Sequence, residues 1–485
     1  MEAHAAPITA RFEGGAMRKR VWIAASGAAL VAVLAAVELP RLASASQVAA
    51  GMAAHNLCSA TYVAGLDPKA TFQELVKPII GHPLDRLASY RVDRASHSVE
   101  ATFAGLFHAR ADFTPGYGCR LEFADTPPAP APRALLPAAV DDGFAPAAPV
   151  TSNDPLINAA LDREFDEHAG TPIKDVKAVV IVKNGRVIAE RYASGYGVGT
   201  PLLSYSVAKS FTNALLGILV KQGRLRVDQP VGAPEWAAPN DPRSRMTIED
   251  LLRMRSGLSV EEEANGFSPV ARMEYLKNDM AAYAASYRLR VPIGSDWDYT
   301  SGNTLILDRL LGQTVGGGAA GMRSFAEQQL LGPARLGGLT MEFDGSGVFM
   351  GASYVYAPAR TYARFGELYL HDGVAPDGQR ILPEGWVAWS RRSTLGEPYG
   401  AGFWTNDGPS RVAAARVRLG FPKDGFFASG YLGQRIYIIP SQQLVVVRFG
   451  YSQGDSFGIE DDLALIAAAI RATGGQAQTL ATAMR

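Results

Sequence analysis

Ser206 and Lys209 stand three residues apart in Ser206-Val207-Ala208-Lys209, a spacing that sets a hydroxyl and an amine on one helical face. A serine hydroxyl is a poor nucleophile until a neighbour removes its proton. A lysine amine can do this once burial and a helix N-terminus lower its pKa, and Ser–Lys pairs are an established alternative to Ser–His. The string alone is weak: about one S-x-x-K is expected by chance in a chain this long. A capping serine beside a solvated lysine is the bland alternative.

A second serine competes for the role. Gly450-Tyr451-Ser452-Gln453-Gly454 has the spacing of a nucleophile elbow, between a predicted strand and a predicted helix. That chemistry needs an acid and a histidine after the serine, and no histidine follows His371. Ser452 therefore reads as a turn residue. Tyr299, in Tyr299-Thr300-Ser301-Gly302-Asn303, offers a phenol instead. Near an ammonium a phenol can ionise or share a proton, acting as base toward a serine and as acid toward a leaving group. A packing tyrosine at a loop edge is its structural alternative.

These residues need elements to hold them. Ala178–Val182 and Val187–Tyr192 are β-rich runs around Asn184-Gly185, a hairpin signal. Phe211, Leu215, Ile218 and Leu219 recur at helical spacing after Ser206, with Gly223 as the stop. Phe426–Ala428, Arg435–Ile439 and Leu444–Arg448 read as strands, with a turn at Pro440–Gln443. Asn158–His168 and Leu463–Ala472 read as helices. Strands at both ends of this region with helices between predict an α/β fold, one antiparallel sheet flanked by helices, with a helical subdomain over the cleft.

Upstream, Arg18-Lys19-Arg20 precede an apolar run, Val21–Val37, and Ala43-Ser44-Ala45 follows. This pattern is that of a secretory signal peptide, and the run also approaches the ~20 residues of a membrane anchor. Either reading exports the remainder, to the periplasm or to a membrane-anchored position facing it. The two cysteines, Cys58 and Cys119, then read as a disulfide, worth about 4 kcal/mol in the chain-entropy model. The expected divisions are 1–45 as signal or anchor, 46–125 as a small accessory module and 126–151 as a Pro/Ala-rich spacer. A main domain over 152–475 and a tail over 476–485 complete the chain.

With Lys+Arg and Asp+Glu both at 47, the chain carries no electrostatic footprint for nucleic acid. No third cysteine adds to a thiolate metal site. His55, His82, His97 and His108 lack ligand-like spacing and read as surface or hydrogen-bonded residues. No metal or organic cofactor is implied.

The order of elements, from the hairpin through the Ser206 helix to RVDQPV and Met246–Leu258 (MTIEDLLRMRSGL), resembles the serine β-lactamase and penicillin-recognising superfamily. It is most similar to the 6-aminohexanoate-dimer hydrolase and esterase branch, over about Lys177 to Arg471. The resemblance implies two-step acyl transfer to an ester or amide, with Ser206, Lys209 and Tyr299 as catalytic residues. It also implies an oxyanion hole from the amides of Ser206 and Tyr431. Ser301, Asn303, Ser429 and Gly430 are the substrate-binding positions it suggests.

Three departures bear on specificity. Class C β-lactamases carry Asn two places after the tyrosine, where this chain has Ser301, with Asn303 at four. The family's Lys-Thr-Gly strand is Ala428-Ser429-Gly430 here, without the lysine that helps hold a substrate carboxylate. The tyrosine that nylon-oligomer hydrolases place after Ser256-Gly257-Leu258 is missing; Glu261-Glu262-Glu263 follows instead, a run that reads as a solvated loop or, less simply, as a recognition element for a cation. A penicillin-binding-type peptidase, a β-lactamase, and a non-catalytic binder or sensor using the same cleft remain the alternatives.

Overall fold

The computed structural model describes residues 13–138, 143–167, 173–454 and 459–474, with side chains from residue 38 onward. His168, at the end of one expected helix, and the 476–485 tail lie outside the described residues. So do the side chains of the Val21–Val37 run. Among the residues whose side chains are described, from 38 onward, no helix is long and apolar enough to cross a membrane.

The N-terminal module pairs one long helix, α1 (Glu13–Tyr62), with an antiparallel sheet. Its strands are β1 (Ala88–Asp93), β2 (Ser98–Phe103), β3 (Phe107–Thr114) and β4 (Gly118–Leu121), in that order. Alternation places Val99 and Ala101 of β2 and Ala111 of β3 in one cluster with Met52, Leu57 and Cys58 of α1. Cys58 and Cys119 lie side by side there, Cα atoms 6.0 Å apart and sulfurs at bonding distance.

The module is not the separate body that the sequence suggests. Ala64, Leu75 and Tyr117 join the core of the main domain, since so short a segment buries too little surface alone. The buried Glu342 carboxylate crosses the seam, accepting from the Ser59 hydroxyl and the Cys119 amide, each at 2.7 Å. His55 is likewise buried, with Nε2 3.2 Å from the Cys119 carbonyl. Burial pushes Glu342 up to about 8 and His55 down to about 4. The expected spacer also differs: residues 126–138 have no regular structure but are strapped down. Arg133 bonds Pro115 O and Ser324 Oγ, and Gly338 N bonds Leu136 O. Phe144 and Ala145 enter the main core. Extended proline-rich backbone leaves its polar groups unpaired, and neighbouring elements satisfy them.

The main sheet is antiparallel, in the order β10-β11-β12-β13-β5-β6. Its strands are β5 (Val176–Lys183), β6 (Arg186–Tyr192), β10 (Trp404–Thr405), β11 (Phe426–Gly430), β12 (Gln434–Ile439) and β13 (Leu444–Gly450). Asn184 and Gly185 both take positive φ, 49° and 74°, as a two-residue hairpin between right-twisted strands requires. Strand β5 is buried on both faces. Ala178, Val180 and Val182 face one core, while Val179 and Ile181 face the other. The second face is covered by α2 (Pro155–Phe165) and by a C-terminal helix, Ile459–Ala472.

The first face carries the nucleophile helix α3 (Ala208–Lys221) and, later, a helix over Ala359–Leu370. A smaller sheet, β7 (Leu202–Leu203), β9 (Val355–Ala357) and β8 (Thr340–Met341), leads the chain into α3.

Candidate active site

Between β7 and α3 the chain makes a tight turn at Tyr205–Val207. Tyr205 holds φ +42°, a left-handed conformation rare for a bulky residue and typical of strained functional turns. Ser204 fastens the turn, its amide on Val355 O at 2.9 Å and its hydroxyl accepting from Val355 N at 3.0 Å. Ser206 follows, just ahead of the first turn of α3.

Lys209 is buried, and its Nζ donates to Ser206 Oγ at 2.9 Å, Ser301 Oγ at 2.9 Å and the Ala352 carbonyl at 3.0 Å. Burial pushes the amine below its ordinary value, against an upward pull from Glu262, Glu274 and Asp308. Burial pushes the Tyr299 phenol the other way, upward, with Glu262 adding to the rise and a hydrogen bond to Ser206 opposing it. The Lys209 Nζ sits over the Tyr299 ring, 4.9 Å from its centroid. Ser206, Lys209 and Tyr299 therefore meet, from a turn, a helix and a distant loop. Burial thus raises the phenol and lowers the amine, so that Lys209 gives up a proton more readily than a free lysine does.

Two expected substrate-binding residues do something else. Ser301 is buried with its hydroxyl on Lys209, so it holds the amine instead of a ligand. Asn303 is fully buried, its Oδ1 accepting from Ser256 Oγ at 2.8 Å. Both lie in the first turn of α4 (Ser301–Val315), the helix that packs behind Tyr299, and the helix turns their side chains inward. The Glu261–Glu263 run is only partly a solvated loop. Glu261 and Glu263 are exposed, but Glu262 is half-buried and its carboxylate accepts from the Ser301 amide. A carboxylate at a helix N-terminus is stabilised by the backbone dipoles, so Glu262 pins the Tyr299–Ser301 turn.

Sequence reasoning also passed over Glu274, which receives the Ser353 hydroxyl and which burial pushes up to about 7. The only sequence signal for Glu262 was its place just after Ser256-Gly257-Leu258. Ser452, the rival nucleophile, is buried against Arg448 and the Lys174 carbonyl, away from this cluster.

Strand β11 runs up to the nucleophile. A Cβ on Gly430 would lie 2.4 Å from Ser204 O and 3.1 Å from the Ser206 amide nitrogen; this close approach brings the start of Tyr431 beside Ser206. Ser429, half-buried, precedes it on the strand. Replacing Gly430 with alanine is expected to push β11 off the Ser206 turn, lowering kcat roughly 10²–10³-fold if amides there stabilise an oxyanion. Circular dichroism should show the fold retained. The open side of Tyr299 is aromatic: Trp404 stacks on it at 5.9 Å, and Tyr399 meets it edge-on at 5.6 Å. Among the described residues no cluster of three His, Cys, Asp or Glu is placed to hold a metal ion.

An antiparallel sheet with a Ser-x-x-Lys helix on one face, met by a tyrosine from the helical side, defines the class of serine hydrolases with a β-lactamase fold. Residues 176–469 match the profile of the Beta-lactamase family, and the chain belongs to that family. It is similar to the 6-aminohexanoate-dimer hydrolase of Paenarthrobacter ureafaciens, with 26% identity over 275 residues, 52% of this chain and 66% of that relative. The chain thus spans just under two thirds of that relative's length.

Among solved structures, a Bacillus anthracis protein provisionally named 6-aminohexanoate-dimer hydrolase superposes with a TM-score of 0.55 at 19% identity, over 70% of this chain and 90% of its own. A family VIII carboxylesterase gives 0.51 at 15% identity, over 67% of this chain and 98% of its own. Both likenesses speak to the fold.

Proposed function

We propose that the protein is an exported hydrolase that cleaves a small ester or amide through an acyl-enzyme on Ser206. Neutral Lys209 takes the Ser206 proton as Oγ attacks the carbonyl carbon. The oxyanion rests on the amides of Ser206 and Tyr431. The C–O or C–N bond then breaks, and the Tyr299 phenol passes a proton to the departing group and is refilled from Lys209. Water enters by the reverse proton path, and the acyl group leaves as a carboxylic acid. The observation that carries this reading is the buried Lys209 amine held 2.9 Å from Ser206 Oγ and biased toward neutrality.

The missing Lys-Thr-Gly lysine favours linear esters and amides over β-lactams. The aromatic wall around Tyr299 suits an apolar acyl or leaving group. No metal or cofactor enters the scheme. The experiment is intact-mass detection of an acyl-enzyme across esters, linear amides and β-lactams. Ester or amide adducts should form on wild type and vanish in Ser206→Ala; adducts with β-lactams alone would replace this reading with a β-lactamase or peptidase, and none at all with a binder.

The pH dependence has a definite sign. Protonated Lys209 cannot act as base, so kcat/KM should fall as pH drops through the Lys209 pKa, and that midpoint should lie below the ordinary 10.5. Because Tyr299 is shifted upward, no second limb should appear until well above pH 10. A pH–rate profile with an uncharged ester reads both.

Export rests on the Arg18–Arg20 cluster and the apolar run after it, and it supplies the oxidising compartment in which Cys58 and Cys119 stay joined. Closing the intervening loop is worth about 4 kcal/mol by chain entropy. Reduction is therefore expected to lower the melting temperature, read by scanning calorimetry with and without a thiol reductant.

A further inference from the structure

The end of the N-terminal module from which the apolar Val21–Val37 run departs carries most of the module's exposed apolar side chains. Helix α1 is unbroken from Glu13 to Tyr62. It lies along the sheet with Gln47 bonded to His108 O at one end and Tyr62 bonded to Asp93 O at the other. Toward the Gln47 end the helix emerges, exposing Leu39 (64%) and Leu42 (51%). The β2–β3 turn is at the same end, with Leu106 at its tip, 77% exposed. Leu87 is there too, its carbonyl taking the Ala104 amide at 2.8 Å, and Leu84 sits three residues before it.

Leu39, Leu42, Leu87 and Leu106 thus lie at the end where α1 leaves the module, with Leu84 one helical turn before Leu87. Levels along the axis agree. Leu106 lies two strand residues beyond His108, roughly 6 Å, which matches about four helix residues beyond Gln47.

We infer that this leucine collar rests in the interfacial layer of a phospholipid bilayer, with α1 continuing through it as an uncleaved anchor. The Val21–Val37 run rises roughly 25 Å as a helix, close to the ~30 Å hydrocarbon core. Residues 38 to 42 then fall in the headgroup layer, roughly 5–7 Å deep on each side. Leu39, Leu42, Leu84, Leu87 and Leu106 gain burial there, and the exposed Arg41 and Arg86 meet phosphates.

The continuity of α1 also speaks to the choice between signal and anchor. Ala43-Ser44-Ala45 lies inside the helix, and Val48, two residues beyond Ser46, is already in the core. Cleavage after Ala45 would begin the mature chain inside this helix, two residues before the buried Val48.

The described residues contain no free cysteine, so single cysteines can be introduced and labelled cleanly. The full chain, carrying L87C or L106C with an environment-sensitive fluorophore, is reconstituted in phosphatidylethanolamine/phosphatidylglycerol vesicles. L395C and V412C, at exposed sites of the main domain (53% and 57%), serve as controls. At the collar, quenching by aqueous iodide should fall several-fold relative to the controls, and quenching by nitroxide lipids should rise.

Equal iodide access at all four sites would overturn the inference. So would a mature chain from the native host beginning at Ser46, or protection that grows with the protein-to-lipid ratio and so marks a second copy. None of the four positions touches the catalytic cluster. Acyl-enzyme formation on the same samples therefore separates failure of the collar from failure of the hydrolase reading.

Discussion

Ser206→Ala is expected to lower hydrolysis of any substrate the protein turns over by on the order of 10⁵–10⁶-fold, and Lys209→Ala should cost nearly as much. The hydroxyl supplies the bond-forming atom. Among the described residues the amine is the only basic group within hydrogen-bond reach of it, and burial lowers its pKa. Because the two act in one step, their effects should not add: the double variant should be no slower than the worse single one. Single-turnover kinetics with an activated ester, alongside intact mass, reads both points. Multiplicative losses would mean that lysine and serine act independently, and residual acylation of Ser206→Ala would place the nucleophile elsewhere.

Lys209→Arg distinguishes charge from basicity. It retains a cation near Ser301 and Ala352 but cannot deprotonate. It should therefore be as inactive as the alanine variant and should lose the acidic limb of the pH profile.

The parts of this site legible in the sequence are those fixed by local periodicity. The Asn184-Gly185 hairpin, the Ser206 helix and the last three strands follow from side-chain alternation and turn chemistry, and the structure places them within a few residues of expectation. Residues whose roles depend on how a helix is rotated were not legible. Ser301 and Asn303 stand two apart in the first turn of α4, and nothing local says that both point inward, one to Lys209 and the other to Ser256. Contacts across long separations were hidden altogether. Glu342 meets Ser59 across 283 residues. A buried carboxylate can be recognised only once the groups that hydrogen-bond it are known.

Tyr299→Phe is expected to slow acylation by about 10²–10⁴-fold when the leaving group needs a proton, and far less when it does not. After Lys209 has taken the serine proton, an alkoxide or amine must be protonated as it departs. The Tyr299 phenol, beside Lys209 and held protonated by burial, is the group placed to do it. A nitrophenolate leaves as a stable anion and makes no such demand. The ratio of acylation rates for a nitrophenyl ester and the matching alkyl amide should therefore widen sharply in the phenylalanine variant, with KM little changed and the Lys209 limb of the pH profile retained. Little or no loss on either substrate would instead make Tyr299 a packing residue, one that braces Lys209 with its ring face, 4.9 Å away, and protonates nothing. The phenylalanine ring preserves that bracing, so the two roles give opposite results in one pair of measurements.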